Sequence, residues 1–532
     1  MAKKKRKVSA KKRTSSKTKV SSKKRVRAGT RKKKKSKKKK TVKRSSRQSS
    51  REEILQIAVT FNCKSGQPGL TKYSGRLTQE ILKGFEPDPI SRQEALVELQ
   101  KRGFIVTGVG EMSASVRGSR ELFEETFGTK LTRFSVADFE GRHVVDSFYY
   151  PADDAPWNPN EMVSEMIDDA YIQWPHIYMN QLFPGDVPSP LPPQVDYHHL
   201  RVPGDIVSLL NVAPIHRRGG TGAGVTVAMI DSGFALGHQY FQRMDYNTSV
   251  VLAPGATDAD KDGNGHGTAE CANLLAIAPG VNFIGVKLDN EQVPQNGATI
   301  LEGFHEALLH SPDIISVSMG FDLTVPNSPN RQHRSALPNS LVALEAEIEA
   351  AVANGITVVF SAGNGHVAFP GMMPDVVSAG GVFVDEDGTM QASDYSSGFT
   401  SRIYSGRQVP DVSGLVGMQS NGAAYIMLPL PSGCAIDSDD GDGTADDDGW
   451  AVISGTSAAA PQLAGICALL KEKGPSLTPA EVKSLLRRSA IDVVFGNASA
   501  ASNEGVAQSA GVGPDNATGM GLVDAYSAWA QV

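Results

Sequence analysis

The sequence predicts an α/β fold built on a parallel sheet, with a smaller α+β unit ahead of it and a basic tail ahead of both. Three observations carry this expectation. From about residue 205, short and almost wholly apolar runs alternate with helical segments, as strands buried on both faces of a helix-flanked sheet do. Between about 52 and 185 the pattern changes to strand, helix, two strands, helix and strand. Residues 1–50 hold 26 Lys and Arg and no Asp or Glu.

The 532 residues exceed one ordinary domain, and 40% hydrophobic with 21% charged residues is a globular composition. The net charge of -3 conceals a division, because the chain beyond residue 50 holds 28 basic against 57 acidic residues. The arm, 1–51, has too little apolar surface to fold alone and is expected to be disordered. Lys3-Lys4-Lys5-Arg6-Lys7-Val8 resembles a nuclear localisation signal, and Arg31 to Lys40 is denser still. Three readings stay open for it: binding of nucleic acid or another polyanion by counterion release, a targeting address, or a solubilising tail. No aromatic residue interleaves the arm, so any nucleic-acid binding is expected to ignore base sequence. No apolar run reaches the ~18 residues that a membrane span needs, and no apolar stretch follows the N-terminal charges as in a secretory signal. With Cys63, Cys271, Cys434 and Cys467 showing no close pair and no metal spacing, an intracellular setting with reduced thiols is expected: cytoplasmic, nucleoid-associated or nuclear.

The α+β unit, 52–185, begins with a strand at Ile54–Phe61. A helix follows over Ser91–Lys101 and ends at Gly103. Phe104–Thr107 and Ser113–Arg117 read as strands, and Ser119 caps a helix that runs through Phe127 and stops at Gly128. Lys130–Ser135 reads as the last strand. This order is ferredoxin-like. Trp157 and Trp174 are expected to pack this unit. A Pro-rich connector follows over 186–204, and it reads as extended, exposed and cleavable. In the larger unit, 205–532, strands are expected at Val225–Ile230, Phe283–Val286, Ile314–Val317 and Ile356–Phe360, and helices at 267–277, 298–310, 342–353 and 457–471.

Three short segments carry chemistry. Asp231 ends the Val225–Ile230 strand and precedes Ser232-Gly233, at the strand end where open α/β sheets place their sites. His266 lies between Gly265 and Gly267 at the start of a helix, where glycines permit close backbone approach. Ser457 lies in Gly455-Thr456-Ser457-Ala458-Ala459-Ala460-Pro461, with small neighbours and a helix N-terminus beside it. A hydroxyl, a base and an orienting carboxylate are what nucleophilic acyl transfer requires.

From Leu209 to the end the chain resembles the subtilisin family. The resemblance rests on Gly222 to Gly233, on Asp262-Gly-Asn-Gly-His-Gly-Thr268, on Ile314-Ile-Ser-Val-Ser-Met-Gly320, on Phe360-Ser-Ala-Gly-Asn-Gly365, on the segment around Ser457, and on Gly519-Met-Gly-Leu-Val-Asp-Ala525. It implies a three-layer α/β fold and a serine endopeptidase acting on polypeptides. Ser457 would be nucleophile, His266 base and Asp231 its orienting partner. Asn364 and the Ser457 N–H would be the oxyanion donors. Ser316, Ser318 and Gly320, with Ser361, Ala362 and Gly363, would be two strips that clasp an extended substrate. Phe321 stands where the family commonly has glycine, which leaves open whether it narrows the specificity pocket or points away.

The run from Leu96 to Leu131 resembles the activation domain of sedolisin-type peptidases. That implies a pro-domain acting as intramolecular inhibitor, with self-cleavage expected in the connector near 185–205. The alternative is a polyanion-binding scaffold with an inactive or tethered peptidase fold.

The segment 437–449 holds seven aspartates, and alternating Asp and Gly suits Ca²⁺; Asp437, Asp439, Asp440, Asp442 and Asp446 are its candidate ligands. A solvated acidic loop is the other reading. No organic cofactor is expected. His198, His199, His305 and His366 read as surface or core fillers.

Overall fold

The computed structural model describes residues 54–64, 69–73, 75–137, 144–151, 159, 161–174, 176–178, 181–182, 198–289, 297–419, 425–439, 443–445 and 447–532. The basic arm, Trp157, most of the Pro-rich connector and Asp440, Asp442 and Asp446 lie outside them. Residues from Glu52 onward form one compact unit.

In the larger part of this unit the strands Thr248–Leu252, Asn282–Lys287, Thr226–Asp231, Ile314–Val317, Thr357–Ser361 and Val377–Val384 lie side by side in that order, all parallel. Val412–Leu415 also pairs in parallel with Val377–Val384, and Met390–Ala392 closes the sheet as an antiparallel edge. Alternate residues of each strand face opposite cores, as the two-residue strand period requires. Val227 and Met229 join the cluster packed on the helices His266–Ile277 and Thr456–Lys473. Ala228 and Ile230 join the one packed on Ile300–Leu308 and Asn339–Ala353. Two helical layers thus sandwich one sheet. The expected strands and helices are found, with no end moved by more than three residues.

The smaller part is a four-stranded antiparallel sheet in the order Ile105–Val109, Ser113–Ser119, Ile54–Phe61, Ile167–Ile172. Its helices form where expected. Asp88 caps Pro89–Arg102, and Ser119 caps Arg120–Phe127 by accepting the Leu122 N–H. Gly103 and Gly128 end them with left-handed backbone, at φ of 112° and 65°. The fourth sheet strand is Ile167–Ile172 and not the run after Gly128. Leu131–Ala137 instead forms a hairpin with Val144–Pro151.

Ile54–Phe61 is buried on both sides from Leu55 onward, and its alternation says why. Leu55, Ile57, Val59 and Phe61 pack on Leu99, Phe123 and Phe127 in the small unit's own core. Ala58 belongs to the core beneath the Ile300 and Asn339 helices, and Gln56 Nε2 donates to Gly297 O at 2.5 Å. The small sheet therefore lies with its second face on two helices of the large unit. Trp174 also packs against the large unit's core, with Arg334 over its ring at 5.3 Å, so it does not serve the small unit as expected.

Candidate active site

Asp231 is the last residue of its strand, and His266 is the first of its helix. Their approach depends on the glycines around His266. Gly265 has φ +95°, and a side chain there would strike Cys434 Sγ. A Cβ on Gly267 would lie 2.3 Å from Gly233 O and 2.8 Å from Asp231 Cβ. With both absent, His266 Nδ1 reaches Asp231 Oδ1 at 2.7 Å, and both residues are fully buried. Burial pulls the His266 pKa down, but the Asp231 carboxylate, followed by Glu270 and Asp262, more than offsets it and leaves the pKa raised.

Asp262 organises the loop that presents this pair. Its carboxylate accepts from Ser232 Oγ, Gly265 N, Thr268 N and Thr268 Oγ1 at 2.7–3.0 Å. Ser232 Oγ in turn accepts the Gly267 N–H at 3.0 Å. The Asp-Ser-Gly and Gly-His-Gly segments are thereby one hydrogen-bonded assembly.

Ser457 is the second residue of its helix, in the first turn, where helix N–H groups have no carbonyl within the helix to bond. Its hydroxyl donates to Ser318 O at 3.1 Å, and Ser318 Oγ donates to Ser457 O at 2.9 Å. Asn364 approaches the same turn. Its Oδ1 accepts from Thr456 N at 2.9 Å and Thr456 Oγ1 at 3.0 Å, which assigns its amide orientation. Asn364 Nδ2 is left buried with no partner among the described residues. A buried N–H₂ left without a partner is costly unless something polar arrives to accept from it.

The two expected substrate strips differ. Ser318–Gly320 is open on one edge and carries a strand of the same chain. Ile177–Tyr178 pairs antiparallel with it, Tyr178 against Met319 and Ile177 against Gly320. Ser316 lies inside the parallel sheet. In Ser361 to Gly363 the Ala362 N–H bonds Ala379 O and the Gly363 N–H bonds Thr456 Oγ1, so these two donors are already engaged within the chain. These residues hold Asn364 on the Ser457 turn. Phe321 is buried against Phe369, with ring centroids 6.5 Å apart. Beside the docked strand, burial and the nearby His266 push the His176 pKa down to about 4.

The acidic segment does not gather into a metal site among the described residues. Asp437 Oδ1 accepts the Gly449 N–H at 3.0 Å and Oδ2 the Gly433 N–H at 2.6 Å, and burial raises its pKa. Asp448 accepts the Trp450 N–H at 2.8 Å. These carboxylates close the described part of the loop on itself, and the candidate ligands Asp440, Asp442 and Asp446 lie outside the described residues.

Sequence reasoning missed a buried amide chain behind the site. Gln462 Oε1 accepts the Leu415 N–H at 2.7 Å. Its Nε2 donates to Leu415 O and to Asn273 Oδ1, and Asn273 Nδ2 donates to Glu270. The one signal was a glutamine inside an apolar helix. His305, read as a filler, lies 3.6 Å from Glu347 under the small sheet.

The model of the subtilase family of peptidases matches residues 222–521. The chain belongs to the subtilase family. This subtilase is 25% identical to subtilisin E of Bacillus subtilis over 300 residues, which span 53% of the chain and 65% of that protein. It is 30% identical over 298 residues to the serine protease AprX of Bacillus subtilis, spanning 50% and 61%. The match thus covers less than two thirds of these relatives' length. Among solved structures, fervidolysin from Fervidobacterium pennivorans, described as a keratinolytic enzyme related to subtilisin, superposes with a TM-score of 0.51 at 16% identity over 90% of this chain and 61% of its own. That likeness supports the fold.

Proposed function

We propose that this subtilase is a serine endopeptidase made as a self-processing precursor. The observation that carries the reading is the pairing of a buried Asp231–His266 hydrogen bond with the unpartnered Asn364 amide at the Ser457 turn. Ser457 Oγ would attack the substrate carbonyl while His266 takes its proton. Asn364 Nδ2 and the Ser457 N–H would receive the oxyanion. His266 would then protonate the leaving amine, and water would release the acyl group. The test is labelling by a fluorophosphonate together with casein hydrolysis. A Ser457 adduct, absent in Ser457→Ala, is expected. No adduct and no hydrolysis by processed protein would favour the polyanion-binding scaffold.

The split β-α-β unit ahead of the peptidase, read as a sedolisin-type pro-domain, would be its inhibitor and folding partner. The contacts that support this are directional. Arg117 bonds Glu302 through Nε and Nη2 at 3.2 Å, and Thr107 Oγ1 reaches the same carboxylate at 2.5 Å. Glu347, fully buried, accepts the N–H groups of Met112 and Ser113 and the Ser113 hydroxyl at 2.7–2.9 Å. Gly110 is needed there, since a Cβ would lie 2.3 Å from Glu347 Oε1. Arg76 pairs with Asp375. The arm at 1–51 would hold the precursor on an intracellular polyanion; retention on DNA that is salt-dependent and lost on deleting residues 2–50 is the result this requires.

A further inference from the structure

The buried amide chain behind the site ends in a carboxyl group. Gln462 Oε1 accepts the Leu415 N–H and Gln462 Nε2 donates to Leu415 O, so the backbone fixes which way that amide faces. Gln462 Nε2 also donates to Asn273 Oδ1, which turns Asn273 Nδ2 toward Glu270 Oε2 at 3.0 Å. The chain of bonds stops at Glu270 Oε1, which is buried and has no partner among the described residues. Asp231 Oδ2 is buried and unpartnered in the same way. Glu270 follows His266 by four residues in one helix, so the two side chains share a face, about 6 Å apart at Cβ. Buried polar atoms without partners are costly, and each calls for a reason.

The groups around Glu270 narrow the reason. Its own helix carries His266 and Cys271, and the neighbouring strand carries Asp231. Asp262, in the loop before the helix, has its carboxylate held by four donors. The packed helix Thr456–Lys473 brings Gln462 and Cys467, while its Lys471 and Lys473 bond Gly355 O and Trp529 O. Gly204–Leu209 brings Asp205, which accepts the Arg201 N–H, and Ile426–Pro429 brings no titratable side chain. Burial pushes the Glu270 pKa up to about 8; His266 is the group whose charge pulls it back, and Asp231 pushes it further up.

We infer that Glu270 is a positioning residue for the acyl transfer, acting through His266 as a second negative partner of the imidazolium beside Asp231. The inference rests on the peptidase reading above and deepens it. Glu270 makes and breaks no bond, and the Ser457 proton still passes to His266. With Glu270 protonated, Asp231 alone balances the imidazolium charge. With Glu270 ionised, a second carboxylate does so in a buried site where charge is weakly screened, and the transition state that carries the imidazolium is lowered.

The experiment compares kcat for a peptide amide between pH 6 and pH 9.5 in wild type, Glu270→Gln and Asn273→Leu, with fluorophosphonate labelling of Ser457 alongside. Proton titration of the His266 imidazole by NMR is followed in Ser457→Ala with and without Glu270→Gln. Gln keeps the volume of Glu and an oxygen for Asn273. The ratio of wild-type to Glu270→Gln kcat should rise about tenfold across that range. Asn273→Leu removes a donor to the ionised carboxylate, so its alkaline rise should move to higher pH. Glu270→Gln should lower the His266 midpoint by about half a pH unit or more, the mark of a coupled pair. A ratio that stays flat with pH in an enzyme that hydrolyses and labels overturns the inference and leaves the peptidase reading standing. So does a rising ratio with the His266 midpoint unmoved. Neither hydrolysis nor label in wild type overturns both. Should Glu270→Gln fail to fold, an alkaline rise displaced upward in Asn273→Leu supports the inference, and an unchanged profile overturns it.

Discussion

The hydroxyls and carbonyls of Ser318 and Ser457 bond one another reciprocally, at 2.9 and 3.1 Å. The reason lies four residues along the helix. Pro461 has no N–H, so the Ser457 carbonyl has no helical donor, and Ser318 Oγ supplies one from the neighbouring strand. A proline that would weaken an ordinary helix here ties Ser457 to the strand that pairs with Ile177–Tyr178.

Ser318→Ala should therefore lower kcat by about 5–30-fold, the equivalent of a lost hydrogen bond of about 1–2 kcal/mol, with KM nearly unchanged. Ser318→Ala combined with Pro461→Ala should regain thermal stability, because the restored N–H can satisfy the Ser457 carbonyl. Steady-state hydrolysis of a peptide amide and melting curves check both.

Asn364→Asp keeps an oxygen for both Thr456 donors and removes the free N–H₂. It should cost on the order of 100–1000-fold in kcat, as should Asn364→Ala, with little change in KM. A matching rise in KM with kcat unchanged would instead make Asn364 a substrate-binding group.

Glu270 is buried one helical turn beyond His266, and burial raises its pKa to about 8. A folded pKa above the unfolded value means the carboxyl's contribution to stability is fully present below about pH 4.5 and lost as pH rises through about 8. The loss is on the order of 4 kcal/mol by pH 8. Glu270→Gln should melt several degrees above wild type at pH 8, with the gap narrowing toward pH 5.

Glu347 runs the other way. Burial alone would raise its pKa, yet His305, Ser113 and the Met112 N–H hold it below the ordinary value of 4.5 while the small sheet is docked. Docking should thus be strongest above that value and weaken as pH falls through the depressed pKa. After cleavage, the two fragments should co-elute in size exclusion at pH 7 and separate more readily near pH 4. Glu347→Gln should separate more readily at pH 7 and lose most of this pH dependence.

Much was legible because it is local. Apolar runs of four to six residues announced the parallel strands, and Ser119 with Gly128 announced a helix from its caps. The Gly-His-Gly and Gly-Thr-Ser segments declared close approach, and Asn364 was readable in Ser-Ala-Gly-Asn-Gly. What failed depended on partners distant in sequence. The hairpin Leu131–Pro151 took the strand expected to complete the small sheet, since period-two patterning does not name the neighbour. That Ala379 and Thr456 take the Ala362 and Gly363 N–H groups could not be read from Ser361 to Gly363 alone. That Asp437 accepts the Gly433 and Gly449 N–H groups was likewise beyond local pattern.

The sequence by itself determined the fold class, the order Asp231, His266, Ser457 and the acid–base division between arm and body, because each is written in residue type and short spacing. Only the tertiary structure decided that Ile177–Tyr178 pairs with Met319 and Gly320, that Gln181–Leu182 pairs with Ile453 and Ser454, and that Glu302 and Glu347 receive the small sheet. Those facts are pairings between residues 141 to 273 positions apart. Backbone hydrogen bonding is the same for nearly every residue, so strand pairing across such distances leaves no local mark in the chain.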